Sequence, residues 1–325
     1  MIDLGMEPGE VLETVIRAGS VIVAFIALPL LLGQTEHKVM AHMQGRLGPM
    51  YAGGFHGWAQ LVADGAKFAQ KEEIIPAAAD RSIFRIAPAV SLLPYAVALT
   101  AVPLSADLVG ADLDCGLLFV LAAMSVGVLG PLMAGWSSAN KYALLGGLRA
   151  GAQLLAYELP MVLAAGSVAM AAGTLSLTGI AGAWEPWWLL WQAPAALVFL
   201  TAGLAELQRP PFDLPIADSE LVVGPYTEYA GLRFAFFLLA EYAGAVVLSA
   251  LFTVLFLGGW QGPFDDVLGP VWTLLKTGLI GIVVIWLRVS WPRTREDQLQ
   301  RLAWTLLVPV ALLQLVLTAV VVVAL

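Results

Sequence analysis

Glu158 and Glu241 are the residues best placed to do chemistry. Each stands inside an apolar stretch, 148–172 and 234–257, long enough to cross a bilayer. A carboxylate facing lipid there costs roughly 2.5 kcal/mol or more, so such a group lines a protein interior or a water-filled path. Glu158 lies nine residues past Arg149, and Glu241 eight past Arg233. Each acid is therefore ~12–14 Å below its own basic end. Two buried acids at matched depth point to a proton or ion path. The simpler alternative is a helix–helix hydrogen bond made by a neutral acid.

The elements that must position these acids are membrane spans. The 325-residue chain is 60% hydrophobic and only 12% charged, against roughly 25% in soluble proteins, and its mean hydropathy is +0.84. The expected fold is all-α and polytopic, a single integral membrane domain over 1–325. Eight segments are expected to cross: 11–33, 84–104, 116–136, 148–172, 187–205, 234–257, 270–288 and 303–325. The first carries Glu13 and Arg17, spaced i,i+4 with the acid first, so they partly neutralise one another.

The loops alternate in charge. Lys38, Arg46, Lys67, Lys71 and Arg81 fall in 34–83, Lys141 in 137–147, Arg209 and Arg233 in 206–233, and Arg293, Arg295 and Arg301 in or beside 289–302. The other loops hold only acids: Asp107, Asp112 and Asp114, then Glu185, then Asp265 and Asp266. The positive-inside rule puts the basic loops in the cytoplasm and both termini outside. No cleavable signal peptide is evident, because the first 16 residues have no basic n-region. Trp184, Trp187, Trp188, Trp191 and Trp260 are expected to be interfacial anchors at the outer edge. One cysteine, Cys115, excludes a disulfide framework and a Cys-ligated iron–sulfur cluster. His37, His42 and His56 all lie in one polar segment, so paired haem ligands within the spans are missing. No cofactor is expected to be bound covalently or through a metal ligand.

Two cytoplasmic loops carry most of the remaining signal. Residues 55–71 have helical periodicity, with Phe55, Trp58, Leu61, Val62, Ala66, Phe68 and Ala69 on one arc and His56, Gln60, Asp64, Lys67, Gln70 and Lys71 opposite. This predicts an amphipathic helix lying on the cytoplasmic face, either as an anchor or as the wall of a cavity. Residues 206–233 hold Glu206, Asp213, Asp218, Glu220 and Glu228 against Arg209 and Arg233, and four prolines at 210, 211, 215 and 225 stiffen the loop. A rigid acidic loop leading to two buried acids suits a proton funnel; its interleaved Leu, Val, Phe and Tyr residues argue against full solvation. Lys276 lies near the outer end of its span and either snorkels outward or serves as a cation in a relay.

At these loops the sequence resembles the H-subunit family of bacterial proton-pumping NADH:quinone oxidoreductase, respiratory complex I. The motifs are TEHKVMAHMQGRLGP at 35–49, ADGAKFAQKEEIIPA at 63–77, GWSSANKYALLGGLRA at 135–150, the 205–231 loop, and WLRVSWPRTREDQL at 286–299. They run in order over nearly the whole chain. The resemblance implies a membrane-arm subunit that supplies the membrane-facing part of a quinone tunnel and the start of a proton-coupling axis. It implies ubiquinone or menaquinone as substrate, with no hydride or electron transfer by this chain. Glu36, His37, Gln44, Arg46, Trp58, Asp64, Lys67 and Phe68 would line or support the tunnel, with the 55–71 helix at its entrance. Arg209, Asp213, Asp218, Glu220 and Glu228 would form the coupling loop, and Glu158 and Glu241 the buried acids of the axis. The implied partners are the soluble quinone-reducing and iron–sulfur subunits, small membrane subunits, antiporter-like subunits and the lipid bilayer, with no nucleic acid. The implied location is the bacterial plasma membrane.

The chain departs from that family's usual pattern at several points. His37 replaces Arg, Met50 replaces Asn, Ala139 replaces Asn, and Leu207-Gln208 replaces Thr-Asn. Ile216-Ala217-Asp218 stands where the family has Glu-Ala-Glu, so one loop carboxylate is gone and the usual proton route or stoichiometry is in question. Two rival readings remain: the related membrane subunit of an energy-converting hydrogenase or formate-hydrogenlyase-type complex, and an ion-coupled secondary transporter. No convincing internal repeat supports the transporter.

Overall fold

The computed structural model describes the backbone of residues 8–324 and the side chains of 17–217 and 219–324. The side chains of Glu13 and Asp218 lie outside the described ones. The described chain is helical and polytopic. Seven helices or helix pairs among the described residues are long and apolar enough to cross a membrane: α1 (Pro8–Met43), α3 (Arg81–Ala101), α4 (Gly116–Ser137), α5 (Lys141–Ala172), α10 (Gly231–Phe256), α11 (Asp265–Ser290), and α12 (Glu296–Leu302) running through a π-helical turn at Ala303–Leu307 into α13 (Val308–Ala324). Between α1 and α3 lies α2 (Gln60–Gln70). The short helices α6 (Leu177–Ala183), α7 (Trp188–Trp191), α8 (Ala193–Glu206) and α9 (Asp218–Leu221) complete the order.

The fifth expected span, 187–205, is not one helix. It breaks at Gln192, where α7 gives way to α8. The 14 residues of α8 rise only ~21 Å, short of a ~30 Å hydrocarbon core. Local hydropathy misses this break because every residue around it is apolar or neutral.

The first loop is also shorter than expected. α1 runs unbroken through 34–43, and the chain leaves it at Gly45, whose φ of 70° a side chain would oppose. The Asp80 side chain then starts α3 by accepting from the backbone N–H groups of Ser82 and Ile83. Asn140 does the same for α5 at Tyr142, and Gly173 ends α5 in the left-handed region.

α10 forms the axis of the bundle, packed against α1, α2, α3 and α11. At the end opposite the basic loops, Lys276 turns its ammonium onto the backbone. Its Nζ donates to the carbonyls of Leu257, Gly259 and Gln261 at 2.7, 3.0 and 2.7 Å, sealing the turn after α10. Trp184 Nε1 donates to Phe256 O at the same turn. Trp188, expected to be an interfacial anchor, is only 6% exposed and packs in the core.

Candidate functional site

The loop leaving α8 turns inward. Gln153 of α5 holds it by donating through Nε2 to Ala205 O (2.6 Å) and Phe212 O (2.8 Å). Gln208 in the left-handed region then aims Arg209 into the bundle, where it is 1% exposed. Arg209 Nη1 donates to Glu36 Oε2 of α1 at 2.9 Å. Its Nε lies 2.8 Å from Glu241 Oε1 of α10, close enough to pair though not aligned as a hydrogen bond. Arg288 of α11 completes the group, bonded to Glu36 and 3.5 Å from Glu241. Two cations face two anions, so burial leaves no net charge unpaired. The Tyr242 ring, whose centre is 4.9 Å from the Arg209 guanidinium carbon, covers the cluster.

Tyr242 also lines a lateral groove between α1, α2 and α10, with about 690 Å³ of empty space. Pro29 of α1, Leu61, Asp64 and Phe68 of α2, and Phe236 of α10 share its wall. Leu61 and Phe68 of the apolar arc face the groove, and Asp64, assigned to the polar arc, joins them because it stands one turn before Phe68. A 3₁₀ turn at 55–57, with His56 at φ 56°, precedes α2, which starts at Gln60, so 55–71 is not one helix. Phe55, Trp58 and Val62 project outward. Asp64 accepts from Gln60 and lies 3.5 Å from Lys67.

On the other side of the charge cluster lies a small cavity of about 30 Å³, lined by Tyr95, Glu206, Gln208, Ile216, Tyr226 and Glu241. Glu206 ends α8 and is 2% exposed, and neither of its oxygens has a hydrogen-bond partner. Glu158 accepts from Ser125 Oγ of α4 at 2.8 Å, so it does make a helix–helix hydrogen bond.

The remaining loop acids sit nearer the surface. Glu228 accepts from Asn140 Nδ2 at 2.6 Å, tying the loop to the start of α5. Glu220 of α9 is half exposed and bonded to Arg149 at 2.7 Å. That hydrogen bond holds its carboxyl below the usual carboxylate range. Asp213 is partly buried. At the end of α1, Gln44 accepts from Arg46 Nε, and both are exposed. His37 is partly buried beside Glu36.

A family model described as NADH dehydrogenase matches residues 16–319. The chain belongs to the NADH dehydrogenase family. It is similar to the H-subunit of NADH-quinone oxidoreductase from Geobacillus kaustophilus (strain HTA426), at 45% identity over 305 residues, covering 93% of this chain and 91% of the relative. The H-subunit from Anoxybacillus flavithermus (strain DSM 21510 / WK1) is 45% identical over 304 residues, covering 93% of this chain and 90% of the relative. The H-subunit from Bacillus cytotoxicus is 44% identical over 287 residues, covering 87% and 86%.

Every residue of the charge cluster and both cavities lies inside the region matched to the NADH dehydrogenase family. The structure brings Glu36, Arg209 and Glu241 together, bonds Glu158 to Ser125 outside the lining of either cavity, and gives Asp64 and Phe68 to the groove. It keeps Gln44, Arg46, Lys67 and Glu220 at the surface. Sequence reasoning misses Arg288, Tyr242 and Ser125 and counts Glu206 as a loop acid. Glu206 is the first residue after its apolar stretch, and Arg288 ends another, so each carries the signal of a charge at a span edge.

Proposed function

We propose that this chain is the membrane-arm subunit of a NADH:quinone oxidoreductase that forms the membrane-facing part of the quinone tunnel and starts the proton-coupling path. Tyr242 carries the reading, because one side chain both walls the lateral groove and covers the buried Arg209. An isoprenoid tail needs an apolar opening within the spans, which the groove between α1, α2 and α10 supplies. A change of charge at a quinone beyond it would be felt first by Arg209, Glu36, Glu241 and Arg288. Glu241 borders the second cavity together with Glu206, and Glu158 would take the path onward. Carboxyls in such a low-dielectric setting titrate as a coupled set, so a nearby charge change moves protons among them.

The chain performs no redox step itself; ubiquinone or menaquinone is the substrate at the tunnel. It works in the bacterial plasma membrane with the basic loops in the cytoplasm and both termini outside. The soluble quinone-reducing and iron–sulfur subunits meet the cytoplasmic side, and small and antiporter-like membrane subunits continue the path. The H-subunit relatives favour this reading over a hydrogenase-type subunit or a free-standing transporter.

Gly65 tests the tunnel. It faces the groove, and an added Cβ meets nothing within 4 Å. Gly65→Leu has room for its Cβ, adds bulk at the groove wall and suits the α2 helix better than glycine. The KM for a long-tailed quinone should rise severalfold, while that for a short-tailed analogue stays near wild type. An unchanged KM for both would remove the groove from the quinone path.

A further inference from the structure

We propose that Arg149 is a positioning residue: with Arg293 it latches Glu220, and so holds the strained helix α9 of the acidic loop in its docked position. The inference rests on the quinone-coupled reading above and adds a holding device to it.

Three observations meet at α9. First, its flanks are strained. Ala217 before it has φ 40°, and Val222 after it has φ 66° and ψ −87°. A β-branched residue opposes a positive φ strongly, and such strain persists only where surroundings impose it.

Second, Glu220 bridges two elements outside the loop. Its Oε2 accepts from Arg149 Nη1 of α5 at 2.7 Å, and its Oε1 lies 3.9 Å from Arg293 Nη2 in the segment before α12. Arg149 Nε lies 3.9 Å from Glu296, and Thr294 donates to Pro211 O, so that segment is itself fastened to the loop.

Third, the loop on either side is fixed without help from Glu220. Arg209 anchors the stretch before α9. Pro225 after it rests on α5 at Gly146, where a Cβ would come within 2.7 Å of Pro225 Cδ. Between these anchors, the described side chains that hold α9 to its surroundings are buried Leu221 and the Glu220 charge pair at the surface.

The family pattern makes Glu220 one of the loop acids of the proton path. The geometry argues for a different role. Glu220 is half exposed, both of its oxygens face arginines, and its carboxyl is kept ionised by Arg149. Glu206, buried and without hydrogen-bond partners, has the opposite setting. An exposed pair contributes little to stability, and less in salt. A marginal latch on a strained segment is a segment that can undock.

Leu221 reports undocking. It is 4% exposed, and its N–H and that of Glu220 donate to Ala217 O at 2.8 and 2.7 Å. The experiment uses the assembled complex in native membranes, with Leu221→Cys in a Cys115→Ser background and a water-soluble maleimide. Arg149→Gln and Glu220→Gln should each raise the labelling rate about 2- to 5-fold. The double variant should rise no further than either single, because both break one pair. Arg149→Lys should restore part of the protection.

Protons taken up per NADH oxidised should fall in the same variants while the KM for quinone stays put. Where Leu221→Cys fails to assemble, amide hydrogen exchange at Glu220 and Leu221 gives the same comparison. Unchanged labelling or exchange in the single variants, or additive effects in the double, would overturn the latch. Increased labelling with an unchanged proton ratio would overturn its coupling role. If wild-type membranes show no quinone-dependent turnover, the quinone reading fails, and the labelling still decides whether Arg149 holds α9.

Discussion

Arg209 Nε lies 2.8 Å from Glu241 Oε1, joining the loop after α8 to the middle of α10. Around this pair the buried charge balances: Glu36 takes the other side of Arg209, and Arg288 bridges both acids. Tyr242, which covers Arg209, lines the lateral groove, and Glu241 lines the Glu206 cavity. In the proposed function this pair is the junction between a quinone path and a proton path.

Removing the cation alone should be costly. Arg209→Met leaves Glu36 and Glu241 sharing only Arg288, and breaking a buried pair from one side costs about 3–5 kcal/mol. The variant should melt well below wild type in detergent, or fail to assemble. Arg209→Met with Glu241→Gln restores neutrality and should recover much of the loss. Melting points for the double variant no higher than for the single would contradict charge balance as the reason for the cluster.

Glu206→Gln should behave oppositely. The carboxyl has no hydrogen-bond partner to lose, so the variant should assemble and melt at or above wild type. In the proposed path its proton uptake per NADH should fall, because the acid that shares a cavity with Glu241 can no longer exchange a proton. Full uptake in a well-assembled variant would take Glu206 out of the path.

Ile216 lines the same cavity as Glu206 and Glu241. Ile216→Glu adds a third carboxyl there, and strongly interacting acids titrate together. The pH profile of proton uptake should shift while turnover persists. Superimposable profiles would show that this position does not touch the path.

Much of the scaffold is legible in the sequence. Span positions follow from hydropathy, and the buried acids stand out against it. The apolar residues of 206–233 rightly argue against a solvated loop: Phe212, Leu214 and Leu221 are buried. The pairings are not legible, because they cross the chain. Arg209 and Glu36 are 173 residues apart, and Arg288 and Glu36 are 252 apart. No local pattern encodes such a contact. Sorting α2 by polarity leaves Asp64 off the apolar arc, while the groove takes it together with Leu61 and Phe68. The break at Gln192 escapes a sequence reading because buried glutamine side chains, not polarity along the chain, define it: Gln192 meets Ser167, Gln314 and Thr318 in the core.

Lys276 supplies a prediction for the far end of the bundle. Lys276→Met leaves three carbonyls of one turn without their donor. An unsatisfied buried polar group costs about 1–3 kcal/mol, and part of this turn is wet. Thermal stability should fall by about that much for the site, with little change in quinone turnover. A large loss of turnover at unchanged stability would instead assign Lys276 to a relay.

The latch has a signed pH dependence. Arg149 lowers the Glu220 carboxyl below its ordinary value, so its contribution is complete above the ordinary carboxylate range and is lost only as pH falls through the lowered value. Corrected amide exchange at Leu221 should be flat from about pH 5 to 8 and rise on further acidification. Glu220→Gln should abolish that acid-side rise. The same rise in both proteins would assign it to another group.

The most direct measurement is NADH:quinone turnover with simultaneous proton uptake in inverted membrane vesicles, comparing wild type with assembled Glu241→Gln. If the Arg209–Glu241 pair joins the two paths, wild type shows inhibitor-sensitive turnover and uptake, and the variant shows a marked loss of uptake. Wild-type turnover and uptake in Glu241→Gln would contradict that junction.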